Sequence, residues 1–368
     1  MSDALLPRSP AAITPEWLEA RLVEARALAS SARIASLRIA PVDLGGVNGD
    51  VYRITPGYAT GSGPASLIVK FPASAAASRG VARFQRWYER EVRAYRELAT
   101  AGALPAPTCY VAGLTDDGGL LLLLEDLGAR RHGDQLAGCS KREADAALRA
   151  IARVHARWWG APALERDLAW LPLTTVGLDR AQGVQGAFAR GWGLARQAVA
   201  LPARFRPIAD RAVERYPALL EEAATPPLTV VHGDYRLDNL FFDEPDAAAG
   251  GDAAATRVTA IDWQFTCRCR GVYDVAYFLG LDLPPDDRRT LERPLLDAYL
   301  EALAADGVAG YERGAAQRMY AVALLLAFAT FAIGAAGAHA DERMRLVHEV
   351  GLGRLAEAIL DNDAARVL

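Results

Sequence analysis

Apolar and polar residues alternate along the front third of the chain, and a helical period replaces that alternation behind it. The stretch 14-TPEWLEARLVEARAL-28 predicts a helix, with Thr14 as its N-cap and Pro15 at its first position. Strands are predicted at 34-IASLRIAPVDL-44, 50-DVYRIT-55 and 66-SLIVKF-71, then one continuous helix over 81-VARFQRWYEREVRAYRELA-99. Two further strands follow, 109-CYVAGL-114 and 120-LLLLLEDL-127. Past Gly128 the texture is helical from 141-KREADAALRAIARVHARWW-159 onward, and the main exception is a strand pair, 239-NLFF-242 with 257-RVTAIDW-263. The Ala/Gly/Asp insert between that pair, residues 243–256, reads as a mobile hairpin tip without chemistry. The pattern predicts an α+β protein, a small β-rich part followed by a larger helical part, without internal repeats.

Composition narrows the class. With 52% hydrophobic and 23% charged residues over 368 positions, the chain is an ordinary globular protein with a substantial core. A net charge of -4 argues against a nucleic-acid surface. The segment 320-YAVALLLAFATFAIGAAGA-338 carries no charge over a length that would span a bilayer, but its Ala and Gly content favours a helix buried on all sides, so no membrane partner is expected. Cys109, Cys139, Cys267 and Cys269 include no C-x-x-C pair, which argues against zinc and for reduced thiols in a cytoplasm. The N-terminus shows no secretory pattern.

Candidate chemistry concentrates in 230-VVHGDYRLDNLFFD-243. Asp234 and Asn239 sit on a loop before a strand, and the return strand is expected to end in Ile261-Asp262, which brings a third oxygen donor to the adjoining end of the hairpin. Two carboxylates and one amide oxygen suit magnesium, which takes hard oxygen ligands together with phosphates and water.

HGDYRLDN resembles the HGDxxxxN catalytic loop of the aminoglycoside phosphotransferase and choline-kinase-like families, relatives of the protein kinases. The D-W-Q sequence followed by VYDVAYFL looks most like the ecdysteroid-kinase-like branch, and the loop also resembles the kinase-like domain fused to some acyl-CoA dehydrogenases. The resemblance implies a protein-kinase-like two-lobed fold. The N-lobe would be residues 1–127, with 1–33 as a helical lead-in, and the helical C-lobe residues 128–368. It implies that Asp234 is the catalytic base, that Asn239 and Asp262 hold magnesium, and that ATP is the donor, with GTP left open.

A kinase-type site also needs a strand lysine paired with a helix glutamate to grip the nucleotide phosphates. Lys70 ends the strand SLIVK and is one of two lysines in the chain, with Lys141, so a specific role outweighs a solvated edge charge. The following helix offers Glu89, Glu91 and Glu97; Glu91 fits the family's helix pattern best, with Glu89 as the alternative. In the turn GGVNG, the backbone at Gly46, Asn48 and Gly49 would approach phosphates. The backbone of Glu125 and Leu127 in LLLLEDLG matches the family's adenine-pairing hinge, although a buried strand ending in an acidic turn reads equally well. By the same resemblance His232 packs inside the loop and Asp274 supports it from below. Arg236 and Asp238 read as bracing, and His155 and its neighbouring tryptophans as packed helix.

Gly233 stands where a protein kinase carries an arginine that answers a phosphorylated activation loop. The short spacing from Asp262 to Asp274 also leaves no room for an activation segment and peptide platform. The acceptor expected is therefore a small hydroxylated molecule. The segment 281-LDLPPDD-287, followed by Arg288 and Arg289, reads as a solvated, self-neutralising loop rather than a site for a cationic acceptor.

Overall fold

The computed structural model describes residues 6–42, 49–99, 104–243, 256–337 and 341–368. They divide into two compact units, residues 1–129 with 261–264 and residues 130–260 with 265–368.

In the first unit, α1 (Pro15–Glu24) is capped by Thr14, whose side chain accepts from the Trp17 N–H. A five-stranded antiparallel sheet follows, built from β1 (Arg33–Pro41), β2 (Gly49–Thr60), β3 (Leu67–Pro72), β4 (Cys109–Leu114) and β5 (Leu120–Glu125) in the order β1-β2-β3-β5-β4. Leu18 and Leu22 of α1 join Ile54, Leu67, Val69, Phe71, Leu121 and Leu123 in one buried cluster. Because side chains alternate across a strand, Val51, Ile68, Lys70 and Leu122 take the opposite face, in register as Val51↔Lys70 and Lys70↔Leu122. β2 continues to Thr60, five residues past the predicted strand end at Thr55.

The helix predicted over 81–99 is broken. α2 (Ala76–Phe84) stops before Arg86, whose φ of 57° is left-handed, and α3 (Trp87–Arg93) restarts there and widens into a π-turn over Ala94–Ala99. An L-residue in that conformation costs roughly 1–2 kcal/mol. Arg86 grips Glu89 with two hydrogen bonds of 2.6 and 2.7 Å at the start of the new helix. The continuous periodicity of the sequence hid this break.

The second unit contains β6 (Arg131–His132), α4 (Lys141–Trp158), the single-turn α5 (Ala163–Arg166), α6 (Ala181–Ala198), α7 (Arg206–Ala223), β7 (Thr229–Val231), β8 (Leu240–Phe242), β9 (Val258–Ala260), β10 (Cys267–Cys269), α8 (Val272–Asp282), α9 (Pro285–Ala305), α10 (Arg313–Ala335) and α11 (Glu342–Asp361). The hairpin pair β8–β9 gains β6 as a third strand, and β7 pairs with β10. The sequence showed neither addition, because two- and three-residue strands are too short to display a period. α4 begins in a capping box formed by Ser140 and Glu143. Its residues Leu148, Ile151, His155 and Trp158 lie buried along one stripe.

Among the described residues, α10 is the one helix long and apolar enough to cross a membrane, and 72% of its most apolar window is buried by the protein. It packs against α6, α7, α8 and α11. At its crossing with α6 only a glycine fits, since a Cβ on Gly191 would lie 2.1 Å from the Ala332 carbonyl oxygen.

The segment 281–287 is not the solvated loop expected. Asp282 is fully buried at the end of α8, and α9 starts within the segment at Pro285. Arg288 is itself buried and pairs with Glu292 at 2.7 Å and with Asp361 of α11. Arg289 bonds Asp361 and Glu357 as well as Asp286. Asp286 and Asp287 stay exposed, with Asp286 neutralised by Arg289 as expected, whereas Asp282 and Arg288 are taken up by helix packing.

Candidate active site

The first unit brings Lys70, Glu91 and Asp262 together. Lys70 Nζ donates to both Glu91 oxygens at 2.8 and 2.9 Å and to Asp262 Oδ1 at 2.7 Å. The pairing selects Glu91 over Glu89, which is held by Arg86. Asp262 lies two residues beyond the end of β9, not on the return strand, and its φ of 64° turns the chain there. The Gln264 amide donates to its other oxygen at 3.0 Å. Burial opposes the Lys70 charge, but Asp262 and Glu91 outweigh it and hold the ammonium above its ordinary value. Two carboxylates on one ammonium leave an excess negative charge in a buried place, and burial pushes Glu91 up to about 7 against the pull of Lys70.

Other residues named from sequence in this unit are less engaged. Gly49 opens β2 where a Cβ would meet the Lys70 side chain at 2.8 Å, whereas Gly46 and Asn48 lie outside the described residues. The Glu125 N–H donates to the Thr108 carbonyl at 2.8 Å, and its carboxylate accepts from the Thr108 N–H and hydroxyl at 3.1 and 3.0 Å. Leu127 is buried. Between them Asp126 is gripped by Arg53 of β2. Burial works against the Asp126 charge, but Arg53, Ser66 and the Gly128 N–H outweigh it and hold its carboxyl below the ordinary value.

The second unit holds the HGDYRLDN loop between β7 and β8. Asn239 folds back on a short 3-10 turn and donates through Nδ2 to the Asp234 carbonyl and to Asp234 Oδ2, both at 2.9 Å. Its amide oxygen makes no hydrogen bond with any described residue. Beneath the loop, fully buried Asp274 accepts from the N–H groups of His232 at 2.7 Å and Gly233 at 2.9 Å. His232 Nδ1 in turn accepts from the Asp234 N–H at 3.2 Å, so loop shape and carboxylate position are tied together. Gly233 has a φ of 85°, and a Cβ there would lie 2.4 Å from the Phe265 carbonyl oxygen. Local backbone geometry alone therefore demands glycine.

The sequence model of the phosphotransferase enzyme family matches residues 40–316, well over half of the chain. This chain belongs to the phosphotransferase enzyme family. A search of curated proteins gave no match. Among solved structures the phosphotransferase resembles an ethanolamine kinase of Plasmodium vivax, with 10% identity and a TM-score of 0.54 over 95% of this chain and 89% of that one. It resembles a choline/ethanolamine kinase family protein of Mesorhizobium loti at 16% identity and 0.52, over 89% and 93% of the two chains. The GDP complex of aminoglycoside 2'-phosphotransferase-IIIa matches at 13% and 0.53, over 89% and 94%. At such identities the likeness is one of fold, and the fold is protein-kinase-like.

Several residues of this phosphotransferase escaped the sequence reading. His155 is not mere packing: it is fully buried, with Nε2 3.1 Å from Asp274 Oδ2 and Nδ1 2.9 Å from the Tyr299 hydroxyl. A carboxylate only accepts, so Nε2 is the donor to Asp274. The available signal was the buried stripe of α4, on which an imidazole must find a partner. Arg236 and Asp238 do brace the loop, but with more partners than their neighbours in sequence. Arg236 Nε reaches both oxygens of Asp234 at 3.2 and 3.3 Å, and Nη1 reaches Asp238 and Gln135. Arg343 of α11 grips both oxygens of Asp238 at 2.9 Å. Burial works against the Asp238 charge, yet these partners outweigh it and hold its carboxyl below the ordinary value.

Proposed function

We propose that this phosphotransferase moves the γ-phosphoryl group of ATP to a hydroxyl of a small molecule. The observation that carries the reading is the Lys70 ammonium held by Glu91 and Asp262 at 2.7–2.9 Å. Such a buried cation, fixed by one glutamate and shared with one carboxylate, suits a nucleotide's phosphates. The short distance in sequence from Asp262 to Asp274 supports a small acceptor over a peptide, since no activation segment fits there.

Asp262 and Asn239 are assigned to magnesium. The donor chemistry fits: a carboxylate whose present partners, Lys70 and Gln264, are exchangeable, and an amide oxygen without a hydrogen bond among the described residues. No group of three or more His, Cys, Asp or Glu suited to a metal occurs among the described residues, which agrees with an ion completed by phosphates and water. The ion, when bound, neutralises charge on the phosphates.

The chain's own groups do the rest. Lys70 holds the phosphate chain, and Glu91 keeps the ammonium in place. Asp234, its orientation set by Asn239, His232 and Arg236, accepts the proton of the acceptor hydroxyl as the oxygen attacks phosphorus. Asp274 keeps the loop backbone rigid while this happens. Positioning and charge neutralisation supply most of the acceleration. All four cysteines are free thiols, which suits a cytoplasmic setting.

The test is thermal shift and calorimetry with MgATP and MgGTP, followed by ADP or GDP release over a panel of hydroxy-acids, sterols, amino-alcohols and aminoglycosides. Asp262→Ala is expected to abolish magnesium-dependent nucleotide binding, and Asp234→Asn to retain binding but lose nearly all transfer. An unmoved melting temperature with both nucleotides overturns the assignment.

A further inference from the structure

Five charges of alternating sign run through the second unit and end on the proposed base. Asp134 meets Arg343 at 3.2 Å, Arg343 grips Asp238 at 2.9 Å, Asp238 meets Arg236 at 3.1 Å, and Arg236 reaches Asp234 at 3.2 Å. The outer members are half exposed, while Asp238 and Asp234 have side-chain exposures of 6% and 11%.

The geometry of Arg236 is unusual for a residue that only braces. A guanidinium that serves as a clamp takes a carboxylate side-on through two parallel N–H groups. Here Nε alone is shared between both Asp234 oxygens at 3.2 and 3.3 Å. Nη1 is spent on Gln135 Oε1 at 2.9 Å and Asp238 Oδ2 at 3.1 Å. Nη2 makes no hydrogen bond with any described residue and is not among the sealed, unsatisfied atoms; the Arg236 side chain keeps 16% exposure. In a planar guanidinium one Nη2–H runs parallel to Nε–H. An unspent donor is therefore aimed alongside the carboxylate that is to receive the hydroxyl proton.

We propose that Arg236 is a second catalytic residue of the phosphoryl transfer, with Nη2 donating to the oxygens of the phosphoryl group in flight, and that Arg343 is the positioning residue that sets Arg236. The proposal rests on the nucleotide reading above. In the step, the acceptor O–H proton passes to Asp234, an O–P bond forms, and the bond from Pγ to the bridging oxygen breaks. ADP leaves with that electron pair, and Arg236 transfers no proton. Charge on the three equatorial oxygens is what an N–H donor at that place stabilises. Arg343 acts through Asp238: it shares that carboxylate's charge, so Arg236 is not drawn wholly onto Asp238 and away from Asp234.

Intrinsic ATP hydrolysis and the affinities for MgADP and for MgADP with aluminium fluoride test this on the full chain. Arg236→Gln is expected to lower hydrolysis kcat by about 100-fold with KM for ATP within about threefold. It is also expected to weaken the aluminium fluoride complex at least about tenfold more than MgADP. Arg343→Gln is expected to lower kcat by about threefold to tenfold with KM unchanged, Arg343→Lys to restore it, and Arg343→Gln to add no loss in the Arg236→Gln background. Equal weakening of both complexes by Arg236→Gln, or additive losses in the double variant, overturns the proposal. Should Arg236→Gln not fold, Arg236→Lys is judged by the same affinity ratio, with a smaller loss expected. A wild-type chain that binds neither complex overturns the nucleotide reading itself, whereas a binding wild type with an unaffected Arg236→Gln overturns only the role of Arg236.

Discussion

Removing the carboxylate of Asp274 should loosen the HGDYRLDN loop and cost much of the protein's stability. Asp274 has no exposed surface and accepts three hydrogen bonds, from the N–H groups of His232 at 2.7 Å and Gly233 at 2.9 Å and from His155 Nε2 at 3.1 Å. In Asp274→Ala all three donors are orphaned in a place that water does not reach. At about 1–2 kcal/mol for each buried donor left without a partner, the loss is roughly 3–6 kcal/mol. Water entering the vacated space moves the result toward the lower figure. A domain's whole margin is about 5–15 kcal/mol, so the variant folds but sits close to threshold. Asp274→Asn keeps one accepting oxygen and points an NH2 at a donor, which should cost about 2–4 kcal/mol. Urea unfolding gives the energy, and amide hydrogen exchange locates it: His232 and Gly233 should lose protection before the helices of the same unit. A loss under about 1 kcal/mol in Asp274→Ala, with protection at both amides retained, would refute the view that this carboxylate holds the loop.

Two further outcomes follow from the same geometry. Gly233→Ala places a Cβ 2.4 Å from the Phe265 carbonyl oxygen at a φ of 85°, so it should lower stability by about 2–4 kcal/mol; a melting temperature equal to wild type would contradict that backbone argument. Glu91, raised from 4.5 to about 7 by burial, takes up a proton on folding, so its contribution is full below pH 4.5 and declines as pH rises toward 7. That decline amounts to about 3 kcal/mol at most, and Glu91→Gln should flatten it; parallel wild-type and variant curves over this window would remove Glu91 as its source.

Part of the candidate site was legible because its relation is local. Asp234 and Asn239 are five residues apart on one 3-10 turn, so the motif spacing is already the contact. Lys70 stood out by composition, as one of two lysines in a chain that otherwise uses arginine. Glu91 was preferred to Glu89 on resemblance to the family's helix pattern, and Lys70 does pair with Glu91; periodicity alone did not separate the two, because the left-handed Arg86 that resets the helix phase leaves no mark in it.

The sequence by itself determined the β-rich front and helical back of the chain, the loop that carries Asp234, and the membership of its polar residues in one stretch. Tertiary structure alone decided that His155, 119 residues away from Asp274, carries the loop's support, and that Arg343, 105 residues beyond Asp238, grips it. Local propensities act over a few residues and are written in neighbouring side chains. Contacts across such separations exist only because α4 packs on β7 and α9, and α8 and α11 pack on each other and on α9 and α10, and the polar partners they carry meet as a consequence of that packing.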